Sequence, residues 1–213
     1  MTDNVVAATD MTVSDKATVR EIVGDPIPIV RNKEMPRLDK YCRQFIEMSP
    51  FLCLGTVGAD GHIDMSPRGD PPGFVKILDD RTLLIPDRQG NQRVDSMLNI
   101  TENPQIGLIF FLPGIEETLR IRARVSITRD QELLGPLALN GKTPKLGFLV
   151  EIDQVFFQCA KALIRSKLWD PSTPIKRSEF PPFGQITRDQ RRPDAKVEDI
   201  EAMLQDNYKN ELY

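Results

Sequence analysis

The stretch Thr118-Leu119-Arg120-Ile121-Arg122-Ala123-Arg124-Val125-Ser126-Ile127-Thr128 decides how this chain is read. Leu119, Ile121, Ala123, Val125 and Ile127 alternate with polar neighbours, among them Arg120, Arg122 and Arg124. A period of two puts the apolar residues on one face, the mark of a half-buried β-strand. The arginine face is read as solvated or, because arginine is enriched at interfaces, as a subunit contact. Working outward, 105–112 is apolar enough for a buried strand. Residues 51–57 and 62–67 form a hairpin about Ala59-Asp60-Gly61, since Asp-Gly supplies the positive φ of a tight turn. Residues 74–78 and 82–85 form another about Asp79-Asp80, and 145–153 with 155–158 give one more strand or a pair. Six or seven closely spaced strands with few helices predict a mainly β fold, a closed or nearly closed barrel with helices at its rim.

The helices are fewer and shorter. Residues 1–11 read as frayed. Thr12-Val13-Ser14-Asp15 fits a capping box for a helix that runs to Val23 and stops at Gly24. Asp25-Pro26-Ile27-Pro28 reads as an extended connector. Leu38, Tyr41, Cys42, Phe45 and Ile46 fall at helical spacing over 38–48, before Pro50. A helix is predicted over 91–102, with Val94, Met97, Leu98 and Thr101 on one face. Shorter ones are predicted over 131–139 and 160–167. The proline-rich stretch 171–193 reads as an arm or lid, followed by an amphipathic helix over 195–207. The expected organisation is an N-terminal extension with a short helix (1–36), a barrel domain (37–170) and a C-terminal arm and helix (171–213).

Composition narrows the function classes. The chain has 213 residues, enough for one well-cored domain with extensions. Lysine and arginine number 28 against 31 aspartates and glutamates, a net charge of −3. That balance gives no general pull toward nucleic acid or an anionic membrane. No signal peptide and no membrane-spanning run is visible. Cys42, Cys53 and Cys159 are far apart and odd in number, which points to a reducing cytoplasm rather than a disulfide framework. The single histidine, His62, offers neither a metal cluster nor a triad base. Asp64 and Asp70 show no sequence sign of perturbed acidity and are not assigned as acids.

One segment suggests a ligand. In Leu84-Ile85-Pro86-Asp87-Arg88-Gln89-Gly90-Asn91-Gln92-Arg93-Val94-Asp95-Ser96, an apolar run breaks at Pro86 and a helix is predicted from Asn91, flanked by Arg88 and Arg93. Free N–H groups and a partial positive charge at a helix start attract anions. Guanidinium forks match phosphate oxygens. The alternative is an ordinary helix start whose arginines pair with Asp87 and Asp95.

Several fragments, in order, resemble the pyridoxamine 5′-phosphate oxidase-like, FMN-binding split-barrel flavoproteins, and more closely a PPOX-type subgroup. They are Gly55-Thr56-Val57 with Asp60-Gly61, Asp64-Met65-Ser66-Pro67-Arg68-Gly69-Asp70, Pro86 to Arg93, Asn99-Ile100 with Asn103-Pro104, the arginine strand, and Arg165-Ser166-Lys167-Leu168-Trp169. The resemblance covers about 37–170. It implies a split β-barrel that binds FMN between the subunits of a homodimer. Met65, Ser66 and Pro67 would border the flavin ring, and Arg68 would reach the phosphate or ribityl chain. Asp87, Arg88, Asn91 and Arg93 would hold the ring edge and phosphate. Thr118 is the nearest match to a strand residue that contacts the flavin. Arg165, Ser166 and Trp169 match residues that approach the ring from the partner subunit, where Arg165 or Lys167 would balance charge on the reduced ring. The implied activity is FMN-dependent oxidoreduction by hydride transfer through flavin N5, with a small-molecule substrate or a nicotinamide donor. The alternative is a non-catalytic protein that binds, stores or senses FMN, haem or a deazaflavin. The oxidase's arginine-bearing end has no match here, so the resemblance does not extend to vitamin B6 oxidation.

Overall fold

The computed structural model describes residues 12–212. The frayed segment expected over 1–11 lies outside them. The chain divides after Glu34 into two compact units. In the first, α1 (Lys16–Val23) is capped by Asp15, whose carboxylate accepts from the N–H groups of Ala17 and Thr18. The cap is therefore Asp15 itself, not a box begun at Thr12. Gly24, at φ 80°, ends the helix. A single turn, α2 (Pro28–Arg31), stands at the end of the expected connector, with proline in the first-turn position that tolerates it. Neither helix buries a residue.

The second unit is built on seven strands: β1 (Phe51–Val57), β2 (Ile63–Gly69), β3 (Lys76–Ile77), β4 (Thr82–Pro86), β5 (Gln105–Leu112), β6 (Ile115–Thr128) and β7 (Gly147–Gln158). They form one antiparallel sheet in the order β2-β1-β5-β6-β7-β4-β3. The alternation seen in the sequence builds the interior. Leu52 and Leu54, then Ile106, Leu108 and Phe110, then Leu119 and Ile121 all point into a single apolar core. Burying one large apolar side chain contributes roughly 1.5–3 kcal/mol, so these rows dominate stability. The two stretches predicted over 145–158 are one strand. A register shift opposite Arg122 and Ala123 inserts an extra residue at Asp153, so both Ile152 and Val155 face inward.

The ends of this strand order, β2 and β3–β4, share no strand pairing; the barrel is split along this line. Pro67 sits on edge strand β2, where a missing N–H costs no ladder bond. Helix α3 (Lys40–Met48) precedes β1 and buries Cys42, Phe45 and Ile46. Helix α4 (Asp95–Glu102) is pinned across the β1–β2 hairpin by three hydrogen bonds. Ser96 Oγ donates to Asp64 (3.1 Å), Asn99 Nδ2 to Thr56 Oγ1 (3.0 Å), and the Ala59 N–H to Glu102 (3.0 Å). Then come α5 (Gln131–Leu134), with a 3₁₀ turn at Gly135–Leu137, and α6 (Lys161–Ser166).

The proline-rich stretch contains a helix the sequence reading left out, α7 (Phe183–Arg191), which starts directly after Pro181-Pro182. It packs on α8 (Val197–Asn210). The contact is close at Gly184, whose N–H donates to the Glu201 carboxylate. A Cβ there would lie 2.6 Å from that carboxylate.

Candidate functional site

The split is closed by charge. Arg68, near the end of β2, donates through Nη1 to the Asp87 carboxylate just after β4, at 2.7 Å. Arg88 reaches back across the same line to Asp70, with Nε at 2.5 Å, and its Nη1 donates to the Leu137 carbonyl at 2.8 Å. The pairs are reciprocal: each side supplies one arginine and one aspartate. They are also shielded, since the side chains of Arg68 and Asp87 are 19% and 25% exposed and those of Arg88 and Asp70 are 20% and 1%. The Arg68 guanidinium lies over the Phe148 ring at 5.0 Å. Its Nε is buried and finds no acceptor among the described residues. Burial pushes the Asp87 carboxyl above the usual carboxylate range, against the pull of the Arg68 guanidinium.

The helix predicted from Asn91 begins four residues later, at Asp95. Asn91 explains part of the delay, because its side-chain oxygen accepts from the Arg93 N–H and offers the backbone a local turn instead. Gln92 (φ 60°) and Val94 (φ 52°) are both left-handed, which a helix cannot accommodate. A β-branched residue in that region is held against a cost of order 1–3 kcal/mol. Val94 gives no side-chain cap. Arg93 pairs with Asp95 at 2.8 Å in an exposed position, and that hydrogen bond raises its guanidinium pKa. One of the two simple pairings considered from sequence, Arg93 with Asp95, is therefore present. The other is replaced: Asp87 takes Arg68, and Arg88 takes Asp70. Asp70, Leu137 and Phe148 were not assigned to the site from sequence, and their contacts connect distant stretches that carry no local signal.

The remaining predicted residues fall on β2, on β6, and on α6 with the chain that follows it. Met65 and Pro67 lie on the outer face of β2, and Ser66 is half-buried in the same row as Arg68. Thr118 is buried on β6, between Phe111 and Gln158 in register. Arg165 and Ser166 end α6, where the Ser166 hydroxyl donates to the Leu163 carbonyl. Trp169 donates its indole N–H to the Ile115 carbonyl at 2.9 Å, which ties the chain after α6 to the start of β6. Among the described residues, none of these three hydrogen-bonds to β2 or to the 87–94 loop.

The outer face of β1, β2 and β5 is apolar and open. Ile63 and Met65 are 76% and 60% exposed, and Phe51 is 37% exposed. Gly55 and Gly107 stand opposite each other at its centre, and a Cβ on Gly107 would meet nothing within 4 Å. A cleft of about 530 Å³ lies elsewhere, lined by Asp79, Arg81, Arg124 and Glu151 among others, and none of the predicted site residues lines it. Among the described residues there is no cluster able to hold a metal ion, and no helix long and apolar enough to cross a membrane.

Comparison with known proteins bears on this geometry. A family model described as pyridoxamine 5′-phosphate oxidase matches residues 38–159, from α3 through β7. No curated protein matches the sequence. Among solved structures, HupZ from Group A Streptococcus is similar at 16% identity and a TM-score of 0.47, covering 56% of this chain and 93% of that one. A putative pyridoxamine 5′-phosphate oxidase from Lactobacillus delbrueckii is similar at 18% identity and a TM-score of 0.45, covering 57% and 95%. An FMN-binding protein from Syntrophomonas wolfei is similar at 12% identity and a TM-score of 0.41, covering 55% and 88%.

Proposed function

The chain belongs to the pyridoxamine 5′-phosphate oxidase family, and on that premise we propose that it is an FMN-dependent oxidoreductase working as a cytoplasmic homodimer. The observation that carries this reading is the extent of the family match, which includes both β2 and the loop between β4 and α4. Arg68 is the anchor for the FMN phosphate: its half-buried guanidinium keeps an N–H without an acceptor, the kind of donor that an anion's oxygen satisfies. Ser66 on the same row supports it. Met65 and Pro67 border the ring, and Asn91 and Arg93, both exposed in the loop, close over the phosphate end. Arg88 positions rather than binds, because it donates hydrogen bonds to Asp70 and to the Leu137 carbonyl. When bound, FMN supplies the two-electron redox centre, and the chain supplies binding and electrostatics.

The exposed apolar face of β1, β2 and β5 supports a second copy as its cover, since soluble monomers rarely leave such a patch open. The partner copy would bring Arg165, Ser166 and Trp169 to the ring, with Arg165 or Lys167 as the balancing cation and Thr118 near the ring edge. A nicotinamide donor and a small organic substrate fit this reading. Haem held by His62 has little to support it: the side chain is 88% exposed on the β1–β2 turn and bonded to Asp60.

The purified protein should be yellow, with flavin absorbance that bleaches on reduction by NADH or NADPH. Arg68→Ala should lower FMN occupancy at least about tenfold, the scale of one charge-assisted hydrogen bond. Full occupancy in that variant removes the phosphate assignment. A colourless protein that takes up no added FMN removes the whole reading. FMN bound without turnover by either nicotinamide favours storage or sensing.

A further inference from the structure

We infer that Asp87 sets the anion specificity of the Arg68 site, acting as an internal counter-ion whose charge must be cancelled when a phosphate monoester dianion binds. The inference rests on the reading of Arg68 as the phosphate anchor.

The geometry is a closed charge balance. Arg68 on β2 faces Asp87 at 2.7 Å, and Arg88 beside Asp87 in the chain faces Asp70 at 2.5 Å. Two cations and two carboxylates sum to zero. The Asp87 main-chain N–H donates to the Leu146 carbonyl, and Phe148 covers one face of the Arg68 guanidinium. Arg88 cannot swing over to neutralise Asp87 without abandoning Asp70, whose side chain is 1% exposed. A phosphate dianion on the free Nε of Arg68 therefore adds two negative charges beside the Asp87 carboxylate, which must then share one guanidinium charge with it. Like charges at that range in a shielded setting favour the neutral acid. Binding then draws one proton from solvent onto the Asp87 carboxylate. Burial already biases this carboxyl toward its protonated form.

The sign follows from linkage. A complex that holds one more proton than the free protein is favoured as pH falls. Between the free and bound pKa values of Asp87, affinity for the dianion rises by about tenfold per pH unit decrease. A ligand without the phosphate leaves the Arg68–Asp87 pair intact and shows no such slope.

Calorimetric titration of the flavin-free protein with FMN, at pH 7.5 in two buffers of different ionisation heat, counts the protons. The phosphate is already a dianion there, its second pKa being about 6. Close to one proton taken up with FMN and none with riboflavin is the expected result. Asp87→Asn should abolish the uptake and tighten FMN binding about tenfold at pH 8.5, while Asp87→Glu restores the uptake. FMN binding without proton uptake by the wild-type protein overturns the inference and leaves the flavin reading standing. Failure to bind either flavin overturns both. The wild-type comparison of FMN with riboflavin decides the matter even if Asp87→Asn does not fold.

Discussion

Along β5 and β6 the inward positions Ile106, Leu108, Phe110, Leu119 and Ile121 are all buried and all apolar. Where β2 faces the end of β4, the shielded positions are instead Arg68, Asp70, Asp87 and Arg88. Both regions exclude most water, yet they are governed by different terms. The interior gains in proportion to the apolar area it removes from water. The seam must offset the desolvation of four charges, and buried ion pairs commonly do little better than break even against apolar groups of the same shape. A barrel built for stability alone would close this line with more strand pairing or more leucine. The difference teaches that the split is kept polar, and the ligand proposed above gives that polarity a use.

Two substitutions test the contrast at its extremes. Phe110 is fully buried, and Phe110→Ala should destabilise the protein by about 4 kcal/mol, the range for emptying an aromatic core site. Denaturant unfolding checks this, with an unchanged m-value marking a simple loss of packing. At the seam, Asp70→Ala strands Arg88 without its carboxylate and should cost about 3 kcal/mol, because a shielded charge is left uncompensated. A cost below about 1 kcal/mol would place the seam with ordinary surface pairs and dissolve the comparison.

How much of this was legible in the sequence follows the same division. The interior was read from local pattern: the alternation of Leu119, Ile121, Ala123 and Val125 is a property of neighbouring residues, and β6 stands where it predicts. The Asp-Gly turn between β1 and β2 is local in the same way, with Gly61 at φ 82°. The seam is not local. Arg68 and Asp87 are 19 residues apart, Asp70 and Arg88 are 18 apart, and no periodicity links them. Which aspartate serves which arginine depends on how the sheet curls. The start of α4 was misplaced for a related reason. Asn91 offers the backbone a local turn, but nothing in Asn91-Gln92-Arg93-Val94 forbids a helix, and the left-handed backbone of Gln92 and Val94 has no mark in the sequence. Proline content hid α7, though prolines directly before a helix are compatible with its first turn.

The third substitution sharpens the comparison by keeping the chemistry and removing the shielding. Arg93 and Asp95 form the same kind of pair at 2.8 Å, but their side chains are 71% and 42% exposed, against 20% and 1% for Arg88 and Asp70. In water the Coulomb term shrinks, salt screens it, and ordering two long side chains offsets the remainder. Arg93→Ala should therefore leave the unfolding midpoint unchanged within measurement error at 0.15 M salt, the ionic strength at which screening acts over about 8 Å. Asp70→Ala, measured beside it, should still show its full loss at the same salt. If instead the two variants fall together, shielding is not what distinguishes the seam, and the four charges at the split would have to be explained by their geometry alone.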